Sequence, residues 1–169
     1  MKLFWRMALA AFLITVVTFP ASGCAGKKKK SDRLAALRGE DIPLSGRPED
    51  WQFVEANDPL VFSDIHFDYN SSVIRNDARS TLEKIAQWIK GRRKGALMVE
   101  GHCDERGSKE YNLALGEQRA LAVRKYLVGL GVDAERVYTV SYGEEKPIES
   151  GRAEEAWAKN RRAHFLVTQ

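Results

Sequence analysis

Between Ala96 and Arg124 the chain passes from a short apolar segment, through a turn dense in charge, into a long amphipathic run: ALMVEGHCDERGSKEYNLALGEQRALAVR. The apolar Ala96 to Gly101 reads as a strand, with Asp104 at its carboxyl end. Ser108 is placed to cap a helix reaching about Gly129 or Gly131, because a serine hydroxyl accepts from the N–H groups that a first helical turn leaves free. Leu113, Gly116, Ala120, Val123 and Leu127 recur at spacings of three and four, which predicts the face packed on a sheet. Arg119 falls one step off that stripe. It is therefore expected at the border of core and solvent, where a long side chain can arch back toward the loop before the helix. An acid and a forked cation, far apart in sequence, are thus brought near each other.

The flanking sequence supplies a scaffold for this unit. Leu60 to Phe67 alternates apolar and polar residues after Val61 and predicts the first strand. Asn76 can cap a helix whose Ala78, Leu82, Ile85 and Ile89 lie on one face and which Gly91 or Gly95 ends. A further strand is predicted at about Arg136 to Tyr142, a short helix around Glu154 to Trp157, and a last strand over Arg162 to Val167. The order β-α-β-α-β-β predicts an α+β fold, a two-layer α/β sandwich with a mixed sheet and helices packed on one face, in a single domain over residues 59–169.

The N-terminus has a different character. Lys2 and Arg6 precede a 13-residue apolar run, Met7 to Phe19, closed by Pro20-Ala-Ser-Gly-Cys24. This is the anatomy of a secretory signal over residues 1–23, too short for an ordinary spanning helix. Ser22-Gly23-Cys24 resembles a bacterial lipobox, with Ala21 where Leu is commoner, and this resemblance implies acylation of Cys24. Ala25 after it implies sorting to the outer membrane. Lys27 to Lys30 read as a solvated spacer or a contact with anionic head groups. From there to residue 58 little periodicity is visible, and the segment is read as a tether in which Trp51 and Phe53 either pack on the domain's edge or meet a partner. The net charge of +4 includes Lys2 and Arg6. With the remaining arginines scattered among acids, there is no basic stripe of the kind nucleic acid requires.

GHCDERG followed by YNLALGEQRA, then SYGEEKP at Ser141 to Pro147 and KNRRA at Lys159 to Ala163, resembles in order the motifs of the OmpA-like peptidoglycan-binding domain. The likeness runs from about Leu60 to the C-terminus and is greatest to the lipoprotein branch of that family. It implies a non-enzymatic protein that needs no cofactor and binds the diaminopimelate of the peptidoglycan stem peptide, whose side chain ends in an ammonium and a carboxylate. On this reading Asp104 accepts from the ammonium and Arg119 grips the carboxylate bidentately, as lysine cannot. Asp68 and Tyr69 are implied as a second wall of the cleft, with Leu115, Asn112 and Phe67 beside them. Asp104 and Arg119 could instead form a plain ion pair, Asn112 could merely brace the loop, and alternation with Ile65 suits Phe67 to core packing. Arg106 and Glu105 are expected to face solvent. The branch also implies TolB and other Tol proteins as partners.

Other readings of the same residues stand beside this one. An adhesive or secretion-system role without Tol partners would use the same domain. A wall-processing enzyme would need His102 or Cys103 as its reactive groups, yet neighbouring strand residues point to opposite faces and three consecutive residues make a poor ligand set. Gly129-Leu-Gly131-Val-Asp-Ala134 fits a dinucleotide fingerprint but follows a helix, so its glycines lack the context that gives them that role. His66 and His164 are expected as ordinary strand histidines.

Overall fold

The structure is a computed structural model that describes residues 51–56 and 58–168. The signal segment, Cys24, the lysine run and the tether up to residue 50 lie outside the described residues. Within them the elements are β1 (Phe53–Glu55), β2 (Ile65–His66), α1 (Arg79–Lys90), β3 (Leu97–His102), α2 (Lys109–Gly129), a 3-10 turn (Ala134–Arg136), β4 (Val137–Gly143), α3 (Glu154–Asn160) and β5 (Arg162–Thr168). No helix among them is long and apolar enough to cross a membrane.

The strands form one mixed sheet in the order β1-β5-β3-β4, with β2 also pairing to β5. β3 and β4 run parallel, while β5 is antiparallel to β1, β2 and β3. Leu97, Val99, Val137, Ala163, Phe165 and Val167 of the sheet share one buried cluster with Leu82, Ile85 and Ile89 of α1 and Ala120, Val123 and Leu127 of α2. This is the expected α+β arrangement, with α1 and α2 packed into one core.

Three elements, β1, β2 and α1, begin elsewhere than the sequence reading placed them. The strand expected over Leu60 to Phe67 contracts to Ile65–His66, because Asp58 organises the preceding residues as a turn: its carboxylate accepts from Leu60 N at 3.1 Å and its carbonyl from Val61 N and Phe62 N at 3.0 and 2.8 Å. Residues assigned to the tether supply β1, whose Phe53 lies opposite Thr168. Phe53 and Trp51 each set a ring edge against Tyr138 at 6.0 Å, so both pack on the domain. α1 begins at Arg79 with Ala78 in the capping position, and Asn76 contributes its carbonyl, not its side chain, to Arg79 N at 3.3 Å.

α2 sits on the sheet differently from the prediction. Ser108 caps it as expected, its hydroxyl accepting from Tyr111 N at 3.2 Å. The buried face runs through Asn112, Leu115, Gly116, Arg119, Ala120, Val123, Arg124 and Leu127, whereas Leu113 is half exposed. Arg119 lies in the middle of that face, not at its border. Gly116, Ala120, Val123 and Leu127 lie on the predicted face, but the hydrophobic pattern missed Asn112, Arg119 and Arg124, polar side chains that satisfy backbone carbonyls in the interior, where an unpaired polar group would be costly.

Candidate functional site

The carboxyl end of β3, the loop to α2 and the first turns of α2 are pressed together by two glycines. A Cβ built on Gly101 would stand 1.8 Å from the Gly116 carbonyl oxygen, and one on Gly116 would stand 2.3 Å from Ser141 Oγ. Only bare backbone on both sides lets the helix rest on the strand. One turn on from Gly116, Arg119 therefore points into the floor of the loop.

Arg119 is fully buried. Its Nε donates to the Ser71 carbonyl at 2.9 Å, Nη1 to the His102 carbonyl at 2.7 Å and to Cys103 Sγ at 3.3 Å, and Nη2 to the Asp68 carbonyl at 3.3 Å. Burial lowers its pKa, and the nearby Cys103 and Asp104 counter that only in part. Cys103 is itself buried, its thiol pushed up to about 11 chiefly by desolvation.

Asp104, 4% exposed, turns to different partners. Arg106 donates to Oδ1 from its backbone N and its Nε, both at 3.1 Å, and to Oδ2 from Nη2 at 2.7 Å. Arg161 Nη1 also reaches Oδ2 at 3.2 Å. Burial alone would raise the Asp104 carboxyl, but the hydrogen bonds from Arg106 and Arg161, with the charge of Arg106, bring it below the usual carboxylate range. Asp104 and Arg119 form no ion pair with each other.

Asp104 and Arg119 share the wall of a cavity of about 170 Å³ with Tyr69, Asn70, Cys103 and Arg106. Leu115 and Asn112 line it too, and Asn112 braces the loop by donating to the Asp104 carbonyl at 3.2 Å and to Glu144 at 2.6 Å. Tyr69 is exposed, and the Arg106 guanidinium stacks over its ring at 4.0 Å. Asp68 reaches the site only through its backbone; its carboxylate is exposed and pairs with Arg75 at 3.4 Å. Phe67 is core, 1% exposed, with Arg119 5.2 Å above its ring. A larger cavity of about 370 Å³ runs along β2 between Arg75 and Lys159. It touches neither Asp104 nor Arg119, so the smaller one is the candidate site.

The two arginines that hold Asp104 were not recognised from sequence as parts of the site. Arg106 is not a free solvent residue but the main partner of Asp104, and Arg161 closes the same carboxylate while its Nε holds the Phe67 carbonyl at 3.1 Å. The KNRRA motif contained Arg161, so the signal was present, though its partner lies far away in sequence. Asn70, at φ 52°, is a non-glycine residue in the left-handed region and accepts from the Tyr111 hydroxyl across the mouth. His102 lines a separate cavity with Glu100, Arg162 and His164, so it and Cys103 serve different spaces.

The OmpA family model matches residues 66–161, which run from the end of β2 through α3 and contain every residue of this site. The chain belongs to the OmpA family. Among OmpA-family relatives, it is 40% identical over 158 residues, 93% of this chain and 88% of the relative, to a peptidoglycan-associated lipoprotein of Brucella melitensis. A protein of the same description from Rhizobium meliloti is 42% identical over 88% of this chain and 81% of its own. The crystal structure of the peptidoglycan-associated lipoprotein from Burkholderia pseudomallei superposes with a TM-score of 0.63 at 42% identity, covering 67% of this chain and 98% of that one. The C-terminal domain of Helicobacter pylori MotB gives a TM-score of 0.59 at 26% identity, covering 63% of this chain and 84% of that one, so the OmpA fold is shared well beyond the lipoproteins.

Proposed function

We propose that this OmpA-family protein is anchored in the outer membrane through acylated Cys24 and holds peptidoglycan from the periplasmic side, without covalent chemistry. The ligand is the diaminopimelate of the stem peptide: its ammonium goes to Asp104 and its carboxylate to Arg119. One observation carries the reading: an anion and a cation line one small cavity without neutralising each other, each held by other partners. That arrangement suits a zwitterionic end group, and the relatives named for peptidoglycan support it. Each grip is individually weak, and retention comes from many copies in a confined layer. On this reading the protein takes a place in the Tol-Pal machinery of envelope integrity and cell division, with TolB and other Tol proteins as partners, as the resemblance of its motifs to the lipoprotein branch implies.

The test is calorimetric titration of the full chain in detergent with a diaminopimelate-containing stem peptide. Asp104→Ala and Arg119→Lys should abolish binding while the circular dichroism spectrum is kept. A peptide with lysine in place of diaminopimelate lacks the second carboxylate and should bind at least about tenfold more weakly, the worth of one charged hydrogen bond. Equal binding by the variants and by both peptides would sink the assignment.

A further inference from the structure

The two oxygens of a carboxylate offer about four lone-pair positions. At Asp104 all four are engaged: Oδ1 by Arg106 N and Nε, Oδ2 by Arg106 Nη2 and Arg161 Nη1. An ammonium arriving at this carboxylate must therefore take the place of a guanidinium already there. The two candidates are held very differently. The Arg161 side chain is 7% exposed and is tied to the Phe67 carbonyl and to Glu154 as well as to Asp104. The Arg106 side chain is 29% exposed and lies between the faces of Tyr69 and Trp157, 4.0 Å from each ring. Its Nη2 also stands 3.7 Å from Glu154, a second acid that can keep it once Asp104 is given up. Rings and acids together make a slot that favours positive charge.

We propose that Arg106 is a built-in competitor, occupying the ammonium position of the unliganded site and displaced from Asp104 when ligand binds. This rests on the reading of the site given above and adds how the site is regulated. Binding becomes an exchange of one cation for another. Only a ligand that brings its own positive charge can open the carboxylate, so a neutral end group is refused by Arg106 itself and not merely by a lost contact. The measured affinity is the intrinsic one reduced by the fraction of molecules in which Arg106 has left Asp104.

Arg106→Gln removes the competitor's charge while keeping a chain of similar length, and the backbone N–H of residue 106 still supports Asp104. Titrated with the diaminopimelate peptide, this variant should bind about tenfold more tightly than the parent if the closed form holds about nine molecules in ten. Arg106→Lys keeps the charge but cannot span both oxygens, so it should fall between. The same peptide with its side-chain amine acetylated should fail against the parent protein. Should Arg106→Gln prove unstable, Arg106→Lys alone decides, since a supporting role predicts weaker binding and displacement predicts tighter. If the parent binds and both variants bind equally or more weakly, Arg106 grips the ligand or supports the loop, and the competitor assignment is overturned with the peptidoglycan reading intact. If neither parent nor variants bind, the reading of the site fails, and the exchange fails with it.

Discussion

Arg119 keeps a charge with none of its surface in water because four acceptors surround its fork. Cys103 shows the converse. Its thiol sits beside that guanidinium, yet desolvation outweighs the attraction and holds it near 11, so it stays protonated and shielded at neutral pH. In the folded chain at pH 8, Cys103 should react with a maleimide at least about a hundredfold more slowly than in denaturant, as read by peptide mapping. Reaction at the denatured rate would mean that the floor of the site is open. At this scale the sequence was partly legible. Asp104, Arg119 and Asn112 were identifiable from the motif they sit in. The burial of Arg119 was not, because three of its partners are backbone carbonyls, which leave no mark on side-chain pattern. Nor was the pairing of Asp104 with Arg161, a contact created only when β5 closes the sheet.

The unit that sets the geometry at the level of elements is the contact of β3 with α2 through Gly101 and Gly116. Gly101→Ala would drive a methyl group into backbone that no rotamer change can relieve, and should destabilise the domain by about 3 kcal/mol or more, measured as a shift in the urea midpoint. Little change would mean that α2 slides freely on the strand. A glycine in a helical stripe reads from sequence as a small packing residue, so Gly116 was placed correctly, but its neighbour Leu113 was not. Leucine and asparagine exchange their usual places here: Leu113 turns outward and Asn112 turns inward to reach Asp104 and Glu144. Periodicity counts apolar residues and cannot weigh a polar side chain that finds two partners. The long helices and the central strand were legible because many residues vote for each. β1 and β2, three and two residues long, exist through pairing with β5 and carry too few residues to show a period.

For the molecule as a whole, β1 is the first of the described elements and ties its end of the chain to β5. Glu55 accepts from His164 Nε2 at 2.8 Å while Asp64 faces Nδ1 at 2.7 Å. Glu100 lies opposite His164 on β3, and Arg162 stands two residues away on the same face of β5. Hydrogen bonding to Asp64 first, and then to Glu55, raises the His164 pKa against its burial. A raised histidine contributes stability that is complete below its unfolded value, about 6.5, and is lost as pH climbs through the higher folded value. A chain starting at Trp51 should therefore be more stable to urea than one starting at Asn57, with the gap narrowing from pH 6 to pH 9. A gap that is absent, or that widens with pH, would show that β1 is a passenger.

The direction of β1 also has a mechanical meaning. It runs parallel to β3, since both are antiparallel to β5, and β3 ends at the site. A pull entering at Trp51 and resisted at Asp104 and Arg119 is therefore directed along the strands. Under that tension β1 slides against β5, and its cross-strand bonds are strained together instead of opening one after another from an end. Trp51 and Phe53, seated on Tyr138, resist the same sliding. A protein fixed to a membrane at one end and to a wall at the other would meet envelope tension in shear, the direction in which so short a strand holds best.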